Sequence, residues 1–271
     1  MKKRFYVLIQ ILFLLVLCTR FDNVMHCQNS KQDMISPKII ELDQGCKLVL
    51  DTKIDTTDSL SIEIITRIRD IMPRIQKLIP ADSVTINLSI SREVIPYLGV
   101  GANTTGYHTI LFNFDPQNPN FKVELIPRGL VHEFLHASRF RMPQWQLTLL
   151  ECMIAEGLAD HFMIELLDGE QPQWDRALTE KEIQQYLIKI KPLSRIKHES
   201  WNAEFNEKYF NPWMLFGRAG DDPIPRCTGY TLGWRIVENY LKAHPEARAS
   251  SLVFAPAEVI VGSTPELIVS K

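Results

Sequence analysis

Three things are scarce in this chain of 271 residues: cysteine, charge of one dominant sign, and long apolar runs. Its five cysteines, Cys18, Cys27, Cys46, Cys152 and Cys227, show no C-x-x-C spacing, and only the last three fall well inside the folded part, which argues against a disulfide framework. One bridge stays open in an oxidising compartment, but Cys152 lies in an apolar helical run and reads as a small core residue. Thirty basic residues against 32 acidic ones leave a formal charge of -2 and no basic stripe, which excludes a general nucleic-acid role. No apolar run reaches the roughly 20 residues that a membrane-spanning helix usually needs. With 45% hydrophobic and 23% charged residues, the composition is that of an ordinary globular protein.

The N-terminus nevertheless carries a short apolar stretch. Lys2, Lys3 and Arg4 form a positive start, and Phe5 to Leu17 is apolar except for Gln10, the pattern of an export signal. Leu15-Val16-Leu17-Cys18 is similar to a bacterial lipoprotein signal, although Leu17 departs from the small residue expected before the lipidated cysteine. Residues 1–20 are therefore expected to be a signal peptide or lipoprotein signal, with membrane attachment through the N-terminus left open. Residues 21–37, polar and without periodicity, are expected to be a flexible tether, and residues 38–271 the domain proper. The expected location is extracytoplasmic, in a bacterial cell envelope.

Along the domain, Ser61, Ile64, Ile65, Ile68, Ile71, Met72, Ile75 and Leu78 repeat at helical spacing after Asp58 as N-cap, with Pro73 expected to kink or interrupt the helix. Val84 to Ile90 alternates apolar and polar, predicting the first strand of a sheet, and Tyr107 to Phe114 predicts a second strand, placed at the sheet edge. Pro96 to Gly106 reads as a glycine-rich loop, and its Gly99 and Gly101 as a turn rather than an anion nest. A helix is predicted from about Val123 to Arg141, and Pro143 is expected to open the next, whose apolar face is Leu147, Leu150, Ile154, Leu158, Phe162 and Leu166.

The first of these two helices contains His132-Glu133-Phe134-Leu135-His136. Residues at i and i+4 share a helical face, so both imidazoles can reach one zinc ion while Glu133 points to the open coordination position. The pentapeptide is short enough to arise by chance. Its neighbours Leu130, Val131, Phe134, Leu135 and Ala137 are uncharged, however, and a buried histidine pair beside a carboxylate needs a partner. Catalytic zinc commonly takes three protein ligands. Two helices joined by a short connection are normally neighbours, which brings the second helix back toward the histidines. Glu156, twenty positions after His136, is the candidate third ligand, with Glu151, Asp160 and His161 as rivals. Gly157 beside it costs about 1 kcal/mol relative to alanine within a helix, which makes sense if another backbone approaches there.

Together, H-E-x-x-H and the following Glu156-Gly157-Leu158-Ala159-Asp160 are similar to the gluzincin metallopeptidases, and more closely the chain resembles the YjaZ-like family of predicted zinc-dependent proteases. The resemblance continues through Trp213-Met214-Leu215-Phe216-Gly217, Pro225 to Gly233 and the helix Trp234 to Ala243, and spans about Thr85 to Val269. It implies a zincin-like α+β fold, with a small mixed or antiparallel sheet packed on helices and a mostly helical C-terminal half. It also implies Zn2+ held by His132, His136 and Glu156, Glu133 as the catalytic carboxylate, and Asp160 orienting a ligand histidine from outside the coordination sphere.

The function expected is that of an exported zinc metallopeptidase acting on a peptide or protein substrate. Zinc-activated water would attack the peptide carbonyl with Glu133 as general base and then acid. Tyr230 is the candidate donor to the oxyanion, against the plainer reading that it packs at the start of the C-terminal helix. His108, His198 and His244 have no motif around them and read as surface or core residues, and Arg128 as a structural contact. Leu232, Ile236, Val237, Tyr240 and Leu241, with Trp201, Trp213 and Trp234, read as packing. Two other functions use the same residues: a non-catalytic envelope-associated binding protein that keeps the fold, against which the intact Glu133 argues, and a zinc hydrolase of non-peptide amides or esters.

Overall fold

The structure is a computed structural model, and it describes residues 36–143, 145, 148–169, 171–197 and 203–267. The expected signal peptide, Cys18, Cys27, most of the expected tether, Leu147, His198 and Trp201 lie outside the described residues. The first element among the described residues begins at Lys38 and is a strand. A mixed five-stranded sheet runs in the order β1-β2-β3-β5-β4, formed by β1 (Lys38–Glu41), β2 (Lys47–Leu50), β3 (Thr85–Ile90), β4 (Val100–Gly106) and β5 (Thr109–Phe114). The outer pairs β1/β2 and β4/β5 are antiparallel; β2/β3 and β3/β5 are parallel.

Three expectations about the sheet are corrected. It begins at Lys38 rather than Val84, because two four-residue strands are too short to show a period. The segment read as a glycine-rich loop supplies the edge strand β4, with the turn confined to residues before Val100, where Gly99 has φ +72. Hence β5 is an interior strand between β3 and β4, not the edge.

Helix α1 (Ser59–Leu78) connects β2 to β3. Asp58 caps it as expected, its carboxylate accepting from Ser61 N–H at 2.9 Å, and the predicted apolar stripe from Ile64 to Ile75 is buried. Pro73 does not interrupt it. The ring sits on the exposed face, and burial of Ile68, Ile71, Met72 and Ile75 on the other side holds the helix through the missing hydrogen bond.

Helix α2 (Leu125–Arg139) packs on β4, β5 and α1, and α3 (Leu149–Leu167) returns alongside it. Pro143 lies in a turn instead of opening α3; the helix starts at Leu149 because Thr148 Oγ1 accepts from Glu151 N–H at 3.1 Å. The α3 sequence is apolar nearly all round, as befits a helix covered on every side. Helix α4 (Glu180–Ser194), a π-helical segment Asn206–Leu215 and α5 (Thr228–Ala243) complete the helical half, and Trp213, Leu232, Ile236 and Val237 are buried as expected. No helix among the described residues is long and apolar enough to cross a membrane.

Helix α3 meets α5 backbone to backbone. A Cβ on Gly157 would fall 2.3 Å from Gly233 O, and one on Gly233 would fall 1.9 Å from Met153 O, so both positions must be glycine for the helices to come this close. The close approach expected at Gly157 is therefore present, and its partner is the helix that carries Tyr230.

Candidate metal centre

Helix α2 presents His132, Glu133 and His136 toward α3 and β4, and α3 presents Glu156 and Asp160 back toward α2. His132 Nε2 lies 2.9 Å from His136 Nε2 and 3.2 Å from Glu156 Oε2, and His136 Nε2 lies 3.4 Å from the same oxygen. Three lone-pair donors thus converge on one point, and these three residues form a group able to hold a metal ion. Zinc bound at about 2.0–2.1 Å in a tetrahedron separates its ligand atoms by roughly 3.3 Å, so the observed spacing fits the ion. The donor set, two imidazoles and one carboxylate, fits it as well.

The rival ligands are occupied elsewhere. Glu151 Oε2 accepts from Arg139 Nη2 at 2.8 Å and its Oε1 from Ala257 N–H at 2.8 Å. His161 stacks on Trp234 with ring centroids 3.7 Å apart and places its Nε2 3.2 Å from Trp234 O. Asp160, fully buried, receives His132 Nδ1–H at 2.8 Å through Oδ1 and Trp174 Nε1–H at 2.8 Å through Oδ2. That bond commits His132 to offering Nε2 to an ion and orients its ring. His136 has no such support: its Nδ1 is buried without a partner among the described residues.

The electrostatics of the cluster favour a cation. Burial by itself would depress the His132 pKa, but Asp160 and Glu156 outweigh it and raise the value well above 6.5. Burial would likewise raise Glu156, and the two histidines reverse this, holding it far below the usual carboxylate range. Burial, followed by the charges of Glu156, Cys227, Asp160 and Glu133, pushes the Tyr230 hydroxyl well above its ordinary value, so that it remains a proton donor. Tyr230 sits on the first turn of α5, within the field of all three carboxylates.

Glu133 is nearly buried, and Thr104 Oγ1, on the edge strand, donates to its Oε2 at 2.6 Å while lying 3.0 Å from its main-chain carbonyl. Sequence reasoning missed Thr104 because it sits in the segment read as a loop. It also missed Trp174, which belongs to a 3-10 turn without periodicity. The remaining candidates are structural. Arg128 reaches Asp168 O at the end of α3, and His244 Nδ1 lies 2.9 Å from Tyr240 O. The His108 ring lies tilted against Tyr107, and none of Cys46, Cys152 and Cys227 forms a disulfide among the described residues.

Fold and site together define a mixed α+β protein whose two packed helices hold a two-histidine, one-glutamate cluster able to take a metal. Over residues 66–262 the chain matches the family described as "Predicted Zn-dependent protease (DUF2268)", and it belongs to that family. It is 31% identical over 137 residues to the uncharacterized protein YjaZ of Bacillus subtilis (strain 168), a match covering 49% of this chain and 48% of that protein. The chain thus spans about half the length of this relative. The crystal structure of an aminopeptidase N family protein from Idiomarina loihiensis superposes with a TM-score of 0.45 at 12% identity, over 83% of this chain and 40% of that one.

Proposed function

We propose that the protein is a zinc metallopeptidase of zincin-like architecture, with His132, His136 and Glu156 as ligands and Glu133 as the general base and acid. The observation that carries the reading is the convergence of three donor atoms within 3.4 Å of one another, one residue away from a nearly buried carboxylate held by Thr104. Bound zinc would supply Lewis-acid chemistry, polarising a peptide carbonyl and acidifying water. Glu133, its Oε2 fixed by Thr104, takes the proton of the attacking water and delivers it to the leaving amine. Tyr230, kept protonated, donates to the developing oxyanion. The edge strand β4 lies beside Glu133, and an extended substrate pairing with its main chain would bring the scissile bond to the carboxylate. Export belongs to the same proposal and rests on the basic start and apolar run of residues 2–17.

Metal analysis together with hydrolysis of a mixed peptide library tests the reading. Wild type should bind zinc and cleave; Glu133→Gln should bind zinc and lose about 10²- to 10⁴-fold in turnover. Zinc binding without cleavage of any peptide would favour a binding protein, and cleavage confined to esters or non-peptide amides would move the substrate class.

A further inference from the structure

The carboxylate that orients His132 is itself the centre of a larger arrangement. Asp160 accepts from His132 and from Trp174, and the residue after Trp174 is Asp175, only 2% exposed. Neither oxygen of Asp175 has a hydrogen-bond donor among the described residues, and the neighbouring carboxyl group is that of Asp160. The position is enforced by the fold. The turn Gln173–Arg176 is pinned to α5 by Thr231, whose hydroxyl donates to Trp174 O at 3.0 Å and accepts Ala177 N–H at 3.2 Å, and the Gln171 amide donates to Asp175 O at 3.0 Å.

A buried carboxyl group with no donor facing it and a second carboxylate beside it has one stable form. Ionised, it would place two like charges side by side away from water; protonated, it gains an acceptor. Asp175 itself borders a cavity of about 140 Å³, together with Arg176, Glu180, Thr231 and Arg235. Both terminal nitrogens of Arg235 are held by Glu180 at 2.6 Å, so that guanidinium is neutralised locally rather than by Asp175.

We propose that Asp175 is a positioning residue: it stays a neutral carboxylic acid and donates its hydroxyl proton to Asp160, the third donor on the carboxylate that orients His132. Three donors leave Asp160 no freedom to swing away from His132, and they fix the ring through which His132 offers Nε2. Burial, then the charge and hydrogen bond of Asp160, raise the Asp175 pKa well above the ordinary carboxylate value, in line with this geometry. The inference rests on the zinc reading for its consequence, but not for the protonation of Asp175, which belongs to the metal-free protein.

The test uses the whole chain and two variants of similar size. Asp175→Asn keeps a neutral donor toward Asp160, whereas Asp175→Leu keeps the branching at Cγ and removes the donor. Infrared spectroscopy of the metal-free wild type at neutral pH should show a carbonyl band at carboxylic-acid rather than carboxylate frequency, absent from Asp175→Asn. Chelator competition should leave zinc affinity in Asp175→Asn within about threefold of wild type and weaken it about 10- to 100-fold in Asp175→Leu, as is usual for partners behind a ligand. Absence of the acid band would overturn the proposal, and so would equal zinc affinities in the two variants. A wild type that shows the band and binds no zinc would overturn the metallopeptidase reading while leaving the neutral Asp175 standing.

Discussion

Helices α2 and α3 join twice through buried charged side chains, and the two junctions are resolved in opposite ways. At one, Arg139 and Glu151 satisfy each other: the guanidinium, fully buried, donates to Glu151 and to the carbonyls of Val253 and Ala255, and Glu151 turns its other oxygen to Ala257 N–H. At the other, His132, His136 and Glu156 aim their lone pairs at a common point, and among the described residues the partners seen for Glu156 are the two histidines rather than a lysine or arginine. The first cluster is electrostatically closed and ties the C-terminal segment to the core. The second is open, and its carboxylates favour a cation there, raising the His132 pKa well above its ordinary value. Burial and charge alone do not separate a structural carboxylate from a ligand. What separates them is whether the protein itself supplies the counter-charge.

Exchanging the damage between the two junctions gives the largest contrast. Glu151→Ala leaves Arg139 buried and uncompensated, so unfolding should become easier by about 3–5 kcal/mol in denaturant titrations, with zinc stoichiometry unchanged wherever the protein is folded. Glu156→Ala should do the reverse, abolishing stoichiometric zinc while the metal-free protein keeps most of its stability. Zinc loss in the first variant and retention in the second would exchange the two assignments.

Next in size is Tyr230→Phe, which removes a hydroxyl and no bulk. Turnover should fall about 10²- to 10³-fold with zinc affinity unaltered, and unchanged turnover would return Tyr230 to simple packing at the head of α5. Asp160→Ala strikes the open junction from behind and should weaken zinc about 10- to 100-fold in chelator competition.

The smallest effect is a pH dependence of opposite character at the two junctions. The folded-state pKa of His132 is raised, so its contribution to stability is fully present below the unfolded value of about 6.5 and is lost as pH climbs through the folded value. The thermal midpoint of metal-free protein should therefore fall above about pH 6.5, whereas Arg139 keeps its charge throughout that range and adds no slope. Zinc loading should remove the decline, because the ion displaces the proton; an identical decline with and without zinc would show that His132 is not the group responsible.

The open junction was legible in part: the i, i+4 rule pairs His132 with His136, a short connection brings the next helix back with Glu151, Glu156, Asp160 and His161 as candidates, and the family resemblance implied Glu156 among them. The close approach at Gly157 followed from a glycine set inside that helix, and the place of Asp160 behind a histidine from the resemblance. The parts that were not legible come from elements without a period. Thr104 stands on an edge strand rich in glycine, where local composition favours a turn and only pairing with β5 makes a strand. Trp174 and Asp175 stand on a 3-10 turn whose place is set by Thr231, more than fifty residues later in the chain. The short strands β1 and β2 were invisible for want of length, and Pro73 misled because packing on the far face of α1 outweighs the hydrogen bond the ring removes. Local rules reached the histidine pair and the helix facing it; the groups that hold these side chains in place come from distant chain segments and had to be seen.

The central claim, that the open junction is completed by one metal ion, is tested most directly by the zinc content of protein stripped with chelator, reloaded and freed of excess metal, measured by elemental analysis. About one zinc per chain in wild type and none in His132→Ala is the expected result. Wild-type protein that is folded by circular dichroism yet retains no zinc after reloading would contradict it.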